Sequence, residues 1–267
     1  MRLDGFFALA PDQAPQDIEY LISEYLGCSR AELALAPIPN EEQEQALIAA
    51  ISLLQKGMPA QYIVGRAWFY GLAFKVNPHV LIPRYDTEVL VEAVQRYLSP
   101  CDRVLDLCCG SGIIGITLKH LMPDLDVHAS DISNSALEVA KSNAVLHKTE
   151  ITFHQADLFP IGLPPFNAII SNPPYISKSE YQGLDPGVRE YEPGLALLAG
   201  DDGLDFYRRI TTHASQHLSS EGILALEHGA GQQNDVLHLT EKAGFRTLEK
   251  GKDLASRDRY LIIQKRG

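Results

Sequence analysis

From Pro83 onward the chain alternates between short apolar runs and longer stretches with helical periodicity, and this rhythm confines it to few architectures. Candidate strands fall at 103–107, 125–130, 151–155, 166–171, 223–227, 245–248 and 259–263. Candidate helices lie between them at 112–121, 133–146, 204–218 and 231–243. Alternation of this kind predicts an α/β fold, a mostly parallel sheet with helices on both faces. Ligands of such sheets bind at the carboxyl ends of the strands. The motifs described below all fall at those ends.

The residues before Pro83 follow other rules. Ile18, Leu21, Ile22, Tyr25 and Leu26 recur at three- and four-residue steps until Gly27, which predicts a helix. Asn40 followed by Glu41, Glu42 and Glu44 predicts the capped start of a second, with Ala46, Leu47, Ala50, Ile51 and Leu54 as its apolar face. Trp68, Phe69, Tyr70, Phe74 and Val76 surround Gly71 and predict a β-hairpin. The expected organisation is a helical domain at 1–60, a hairpin linker at 61–82 and the α/β domain at 83–267.

Composition narrows the function classes. A net charge of -11 disfavours phosphate backbones as ligands, so no direct nucleic-acid binding is expected. Cys28, Cys101, Cys108 and Cys109 form no CxxC pair, so no metal site is expected. No run of about 18 apolar residues occurs and the N-terminus lacks the signal-peptide pattern, so no membrane association and a cytoplasmic location are expected.

The first strand of the α/β domain runs into a glycine loop, Asp106-Leu107-Cys108-Cys109-Gly110-Ser111-Gly112, with Gly115 completing GxGxxG. That pattern alone fits a dinucleotide. Asp106 argues otherwise, because a carboxylate beside a pyrophosphate is repelled while the sulfonium and ammonium of S-adenosylmethionine are attracted. A cofactor is therefore expected at this loop, with Asp106 attracting its cationic groups and Gly110 and Gly112 letting the backbone approach. Asp131 ends the second strand, at the distance where an acid grips ribose hydroxyls in related folds; a helix N-cap is the other reading, for which Ser133 is the better candidate. Asp157, Leu158 and Phe159 follow the third strand, where an adenine ring is expected, or they form an acidic turn with a core phenylalanine.

The fourth strand opens into Asn172-Pro173-Pro174-Tyr175. The prolines fix the backbone and cannot donate hydrogen bonds. An amide nitrogen is a weak nucleophile because its lone pair is delocalised, and it must become more tetrahedral to accept a methyl group. The Asn172 side-chain oxygen and the Pro173 carbonyl can accept its two N–H bonds and stabilise the positive charge that develops in the transition state. Tyr175 can stack on the planar group. These residues are the expected catalytic and substrate-binding set, for an amide or amino nitrogen; a merely structural strand exit is the alternative.

Across the chain from about Pro15, the sequence resembles the peptide chain release factor N5-glutamine methyltransferases, the HemK family. The resemblance rests on Gln61-Tyr62-Ile63-Val64-Gly65, on Leu81-Ile82-Pro83-Arg84-Tyr85-Asp86-Thr87-Glu88, on the 106–112 loop, on Ser171 to Ile176, and on Glu192-Pro193, 199–205 and Arg257-Asp258-Arg259. It implies a Rossmann-like, seven-stranded class I methyltransferase domain behind a helical domain that recognises the partner. It also implies transfer of a methyl group from S-adenosylmethionine, leaving S-adenosylhomocysteine, to the glutamine of the GGQ tripeptide of release factors, with cofactor contacts at Cys108, Cys109, Gly110, Ser111, Gly112, Asp131, Leu158 and Asn172. Tyr85 stands where the family usually has proline, and Cys108-Cys109 where it has Gly-Thr. Arg84 and Glu88 read either as substrate contacts or as a solvated helix start. A monomer is expected, and glutamine methylation of a ribosomal protein or adenine-N6 methylation of nucleic acid are the alternative activities.

Overall fold

The computed structural model describes residues 2–266. Among them the chain order is α1 (Leu3–Leu9), α2 (Pro15–Leu26), α3 (Glu41–Leu54), α4 (Ala60–Val64), β1 (Arg66–Phe69), β2 (Leu72–Lys75), α5 (Glu88–Gln95), β3 (Arg103–Leu107), α6 (Ile113–Leu121) and β4 (Asp126–Asp131). It continues with α7 (Asn134–His147), β5 (Thr152–Gln155), β6 (Phe166–Ser171), α8 (Lys178–Gln182), α9 (Pro186–Tyr191), α10 (Asp205–His217), β7 (Leu218–Glu227), α11 (Gln233–Lys242), β8 (Phe245–Lys252) and β9 (Asp258–Lys265). The chain divides into two compact units, one holding the residues up to Arg66 together with Asp185–Tyr191, the other the remainder.

The first unit is helical. Phe6, Ile18, Leu21, Ile22, Leu47, Ile51 and Leu54 form its buried core. Asn40 caps α3 as expected, accepting from the Gln43 amide at 2.8 Å while the Gln43 side chain accepts from the Asn40 amide. The expected 1–60 boundary is corrected in two ways. α4 continues the helical unit to Gly65, and α9, more than a hundred residues later, belongs to it, with the Tyr191 hydroxyl donating to the Lys56 carbonyl at 2.9 Å.

The second unit is built on a seven-stranded sheet in the order β5-β4-β3-β6-β7-β9-β8. β5, β4, β3, β6 and β7 are parallel, and β9 runs antiparallel between β7 and β8. Alternate residues feed two cores: Val104, Ala168, Ile170, Ala225 and Ile262 on one face, Leu105, Ile169, Leu224, Leu226 and Leu261 on the other. Burial on both faces explains why the strands read as nearly continuous apolar runs. The hairpin β1–β2 turns at Tyr70 and Gly71, both with positive φ, and its Phe69 and Phe74 enter the first of these cores. It is thus a part of the sheet unit rather than a linker. From β3 the chain moves outward to β4 and β5, then returns to place β6 on the other side of β3, which puts the switch point at the carboxyl ends of β3 and β6.

Candidate active site

A cavity opens at that switch point. Its wall includes Cys108, Cys109, Gly110 and Ser111 after β3, Asp131 and Ser133 after β4, Asp157 and Leu158 after β5, and Asn172 and Pro174 after β6. Arg84 and Thr87 line it from the segment before α5, and Pro193, Leu195 and Ala196 from the segment after α9.

Local chemistry shapes each wall. Cys108, Gly110 and Gly112 all take left-handed backbone conformations, with φ of 61°, 52° and 81°. At Gly112 a β-carbon would fall 2.9 Å from Ile116 Cδ1 and 3.2 Å from Ala140 Cβ, so only glycine lets α6 start this close to α7. At Gly110 a β-carbon would meet no protein atom within 4 Å, which leaves the loop backbone open to a ligand. Asn143 on α7 braces the loop from behind, donating to the Ser111 carbonyl at 2.9 Å and to the Lys75 carbonyl at 3.1 Å.

Asp131 accepts the Gly110 amide through Oδ2 and the Ser133 amide through Oδ1, each at 2.9 Å. Its partners are backbone amides rather than a cation, and burial raises its pKa. A carboxylate offers about four lone-pair sites, so acceptor capacity remains for ribose hydroxyls. Ser133 is the helix cap, accepting the Ala136 amide at 3.1 Å, which separates the two readings of this turn. Leu158, also left-handed at φ 69°, is held by the Ser130 hydroxyl, which donates to its carbonyl at 2.9 Å.

Asn172 donates from Nδ2 to the Thr87 hydroxyl at 3.0 Å. The amide oxygen therefore points away from Thr87, and Asn172 lines the cavity. Thr87 is fixed in turn by its loop. Arg84 pairs with buried Glu192 at 2.5 Å, Glu192 also accepts the Ile82 amide at 3.1 Å, and Asp86 pairs with Arg259 at 3.1 Å. The Tyr175 carbonyl accepts from the Gln232 side chain at 3.0 Å, and Gln232 accepts the Gly229 amide at 2.9 Å.

Several expected site residues lie elsewhere. Asp106 is fully buried beneath the loop, where Oδ2 accepts the Gly115 amide at 2.8 Å and Oδ1 has no hydrogen-bond partner among the described residues. Burial pushes its pKa up to about 7. It shapes the start of α6 rather than the cavity wall. Glu88 accepts the Tyr70 amide at 2.6 Å and so anchors the hairpin turn. Phe159 stacks on His217 with ring centroids 4.4 Å apart, away from the cavity wall. Pro173 is buried, and Tyr175 packs into the second sheet-face core, so of the tetrapeptide Asn172 and Pro174 line the cavity. Asp157 is on the wall but pairs with Arg209 at 2.7 Å. Thr87, Ser130, Asn143, Glu227 and Gln232 had not been singled out for the site; Glu227 carried a usable signal, a carboxylate at the end of an apolar strand.

The wall suits S-adenosylmethionine: an open loop backbone at Gly110, a carboxylate at the second strand end and an apolar Leu158 at the third. Of the charged residues on the wall, Arg84 is neutralised by Glu192 and Asp157 by Arg209, which leaves Asp131 as a carboxylate held by amides. Asp131 there can accept from ribose hydroxyls, as such an acid does in related folds.

Comparison with known proteins agrees with this geometry. Residues 5–65 match the family described as PrmC N-terminal domain, and residues 85–184 match Methyltransferase small domain. The chain is 40% identical over 238 residues to a release factor glutamine methyltransferase of Geobacter sulfurreducens, covering 88% of this chain and 84% of that protein. It is 40% identical over 224 residues to the Clostridium acetobutylicum protein of the same name, covering 81% and 79%. The crystal structure of a methyltransferase from Pyrococcus furiosus superposes with a TM-score of 0.56 at 16% identity, over 85% of this chain and 100% of that one, a likeness of fold alone. With relatives this similar over most of both lengths, and a methyltransferase sheet carrying the Asn172 site, the chain belongs to the release factor glutamine methyltransferases.

Proposed function

We propose that this protein transfers a methyl group from S-adenosylmethionine to the side-chain amide nitrogen of the glutamine in the GGQ tripeptide of peptide chain release factors. The observation that carries the reading is the orientation of Asn172, with its NH2 bound to Thr87 and its oxygen left to accept from a planar NH2 group. The names of the relatives support the choice of release factor as substrate.

In this reading Cys108, Gly110 and Ser111 cradle the cofactor, Asp131 holds its ribose, and Leu158 covers its adenine, while Gly112, off the wall, serves the α6–α7 contact. Bound there, S-adenosylmethionine supplies an electrophilic methyl carbon on a sulfonium. Asn172 accepts an N–H of the glutamine amide through its side-chain oxygen, which favours the tetrahedral nitrogen of the transition state. Tyr175, whose phenol burial pushes up to about 12, stays neutral and acts by packing rather than as a base. Orientation supplies much of the acceleration. In the same reading the helical unit recognises the release factor, a translation-factor substrate places the protein in the cytoplasm, the acidic chain disfavours nucleic acid, and the working form is a monomer.

The test is transfer of labelled methyl to an intact release factor, with a ribosomal protein and duplex DNA as parallel substrates. Label on the GGQ glutamine alone is the expected result. Label on DNA, declining steeply with salt, or none on the glutamine, contradicts it.

A further inference from the structure

β6 and β7 pair in parallel with Ser171 opposite Leu226, so Asn172, just past β6, emerges beside Glu227, the last residue of β7. Glu227 is fully buried, and no hydrogen bond of full geometry reaches either of its oxygens among the described residues. An apolar residue would pack at this strand end without the cost of desolvating a carboxyl group, so the carboxyl calls for an account. The Thr87 hydroxyl is the side-chain donor whose proximity lowers its pKa, short of a formed hydrogen bond. Thr87 is the group that receives the Asn172 amide.

A hydroxyl has one proton to give and two lone pairs to accept with. Once the Thr87 oxygen accepts the Asn172 NH2, its own proton needs a second acceptor. Its chain neighbours Asp86 and Glu88 are engaged by Arg259 and the Tyr70 amide, which leaves Glu227 as the acceptor. We propose that Glu227 is a positioning residue for methyl transfer: as a carboxylate it draws the Thr87 proton to itself, which keeps the Thr87 oxygen open to the Asn172 NH2 and the Asn172 oxygen turned to the reacting nitrogen. This rests on the function proposed above. A protonated Glu227 is itself a donor toward Thr87. The Thr87 proton is then free for the Asn172 oxygen, the amide turns over, and an NH2 meets the substrate NH2, donor against donor.

The surroundings poise this choice. Burial raises the Glu227 carboxyl to about 7, the Thr87 hydroxyl and the Arg259 and Arg84 guanidiniums lower it, and Asp86 raises it. The Tyr175 and Tyr207 phenols share the same field, and Arg259 is itself partly neutralised by Asp253 at 3.0 Å.

Turnover on a release factor at saturating cofactor, followed against pH, tests the relay in Glu227→Gln, Thr87→Val, Thr87→Ser and the Glu227→Gln/Thr87→Val double variant. Glu227→Gln is expected to lower kcat roughly tenfold to a hundredfold, as for a hydrogen bond to a charged group. It is also expected to abolish the fall in kcat below about pH 7, with cofactor affinity unchanged. Thr87→Val should lose as much, Thr87→Ser should keep most activity, and the double variant should lose no more than either single. Wild-type kcat and an unchanged acid limb in Glu227→Gln overturn the proposal, as do losses that multiply in the double variant. Should Glu227→Gln fail to fold, equal activity of Thr87→Val and Thr87→Ser overturns it. Carbon-13 NMR of the Glu227 carboxyl reads the relay without turnover: its midpoint should rise in Thr87→Val, and an unchanged midpoint overturns the relay. An inactive wild type with a shifted midpoint would sink the substrate assignment and leave the relay standing.

Discussion

Asn172 gives its side-chain NH2 to the Thr87 hydroxyl at 3.0 Å, and that single bond decides which end of the amide faces the cavity. The two residues are 85 positions apart. One ends a buried strand and the other starts a helix through a loop locked by Arg84–Glu192 and Asp86–Arg259. Substrate-facing chemistry on Asn172 therefore depends on a segment that, locally, reads as a helix entry.

Asp131 should govern cofactor affinity. Replacing it with alanine removes an acceptor from the cavity wall and orphans the Gly110 amide. Calorimetric titration with S-adenosylmethionine should show affinity lowered roughly tenfold to a hundredfold, about 1.5–3 kcal/mol, while turnover at saturating cofactor changes far less.

Gly203 has no room for a side chain. A β-carbon there would lie 2.5 Å from the Tyr175 carbonyl and 2.7 Å from Gln232 Nε2, at a φ of +77°. Gly203→Ala should cost about 1–3 kcal/mol of stability from backbone strain and displace the Gln232–Tyr175 hydrogen bond. Thermal unfolding and kcat should both drop, with cofactor affinity largely kept.

Asp106 makes stability depend on pH. Its carboxyl is raised from 3.8 to about 7 in the folded protein, so its contribution is present below the unfolded value and is lost as pH rises through the folded one. Glu227 acts in the same direction, whereas His128, His154, His217 and His228, held below their ordinary value, act in the opposite one. The difference between wild type and Asp106→Asn carries the test. Between about pH 5 and about pH 8 the variant's Tm should fall less, or rise more, than that of the wild type.

Arg259 is nearly buried and bridges Asp253 and Asp86 at 3.0 and 3.1 Å. Arg259→Ala removes one of several donors on Asp253, which keeps Arg257 and the Ala255 and Arg257 amides, and one of the two cations on Asp86, so the denaturant midpoint should fall. Arg257 still contacts Asp253, so the loss should stop short of unfolding.

Much of the sheet unit was legible because its strands are buried on both faces. The predicted strands at 103–107 and 166–171 coincide with β3 and β6, where an apolar run has few other uses. α1 escaped notice because Asp4, Gly5 and Pro11 mask its periodicity, although Phe6 is a core residue. α5 starts at Glu88, where a helix start is one of the two readings the sequence allows. The glycine loop and Asn172 were found because their backbone and chemistry are local. Burial is not local: Asp106 and Phe159 carry the right residue types at the right strand ends, yet one lies under the loop and the other stacks on His217. Glu227 and Gln232 act across 55 residues or more of intervening chain, a pairing with no periodic signature.

The most direct measurement is single-turnover methyl transfer to a release factor by wild type and Asn172→Ala, with the modified residue located by tandem mass spectrometry and cofactor binding measured on the same samples. The wild type should methylate the GGQ glutamine, and Asn172→Ala should do so on the order of a hundredfold more slowly or worse while still binding S-adenosylmethionine. A variant as fast as the wild type, or a methyl group carried anywhere but that glutamine, would contradict the central claim that the Asn172 oxygen holds the reacting amide.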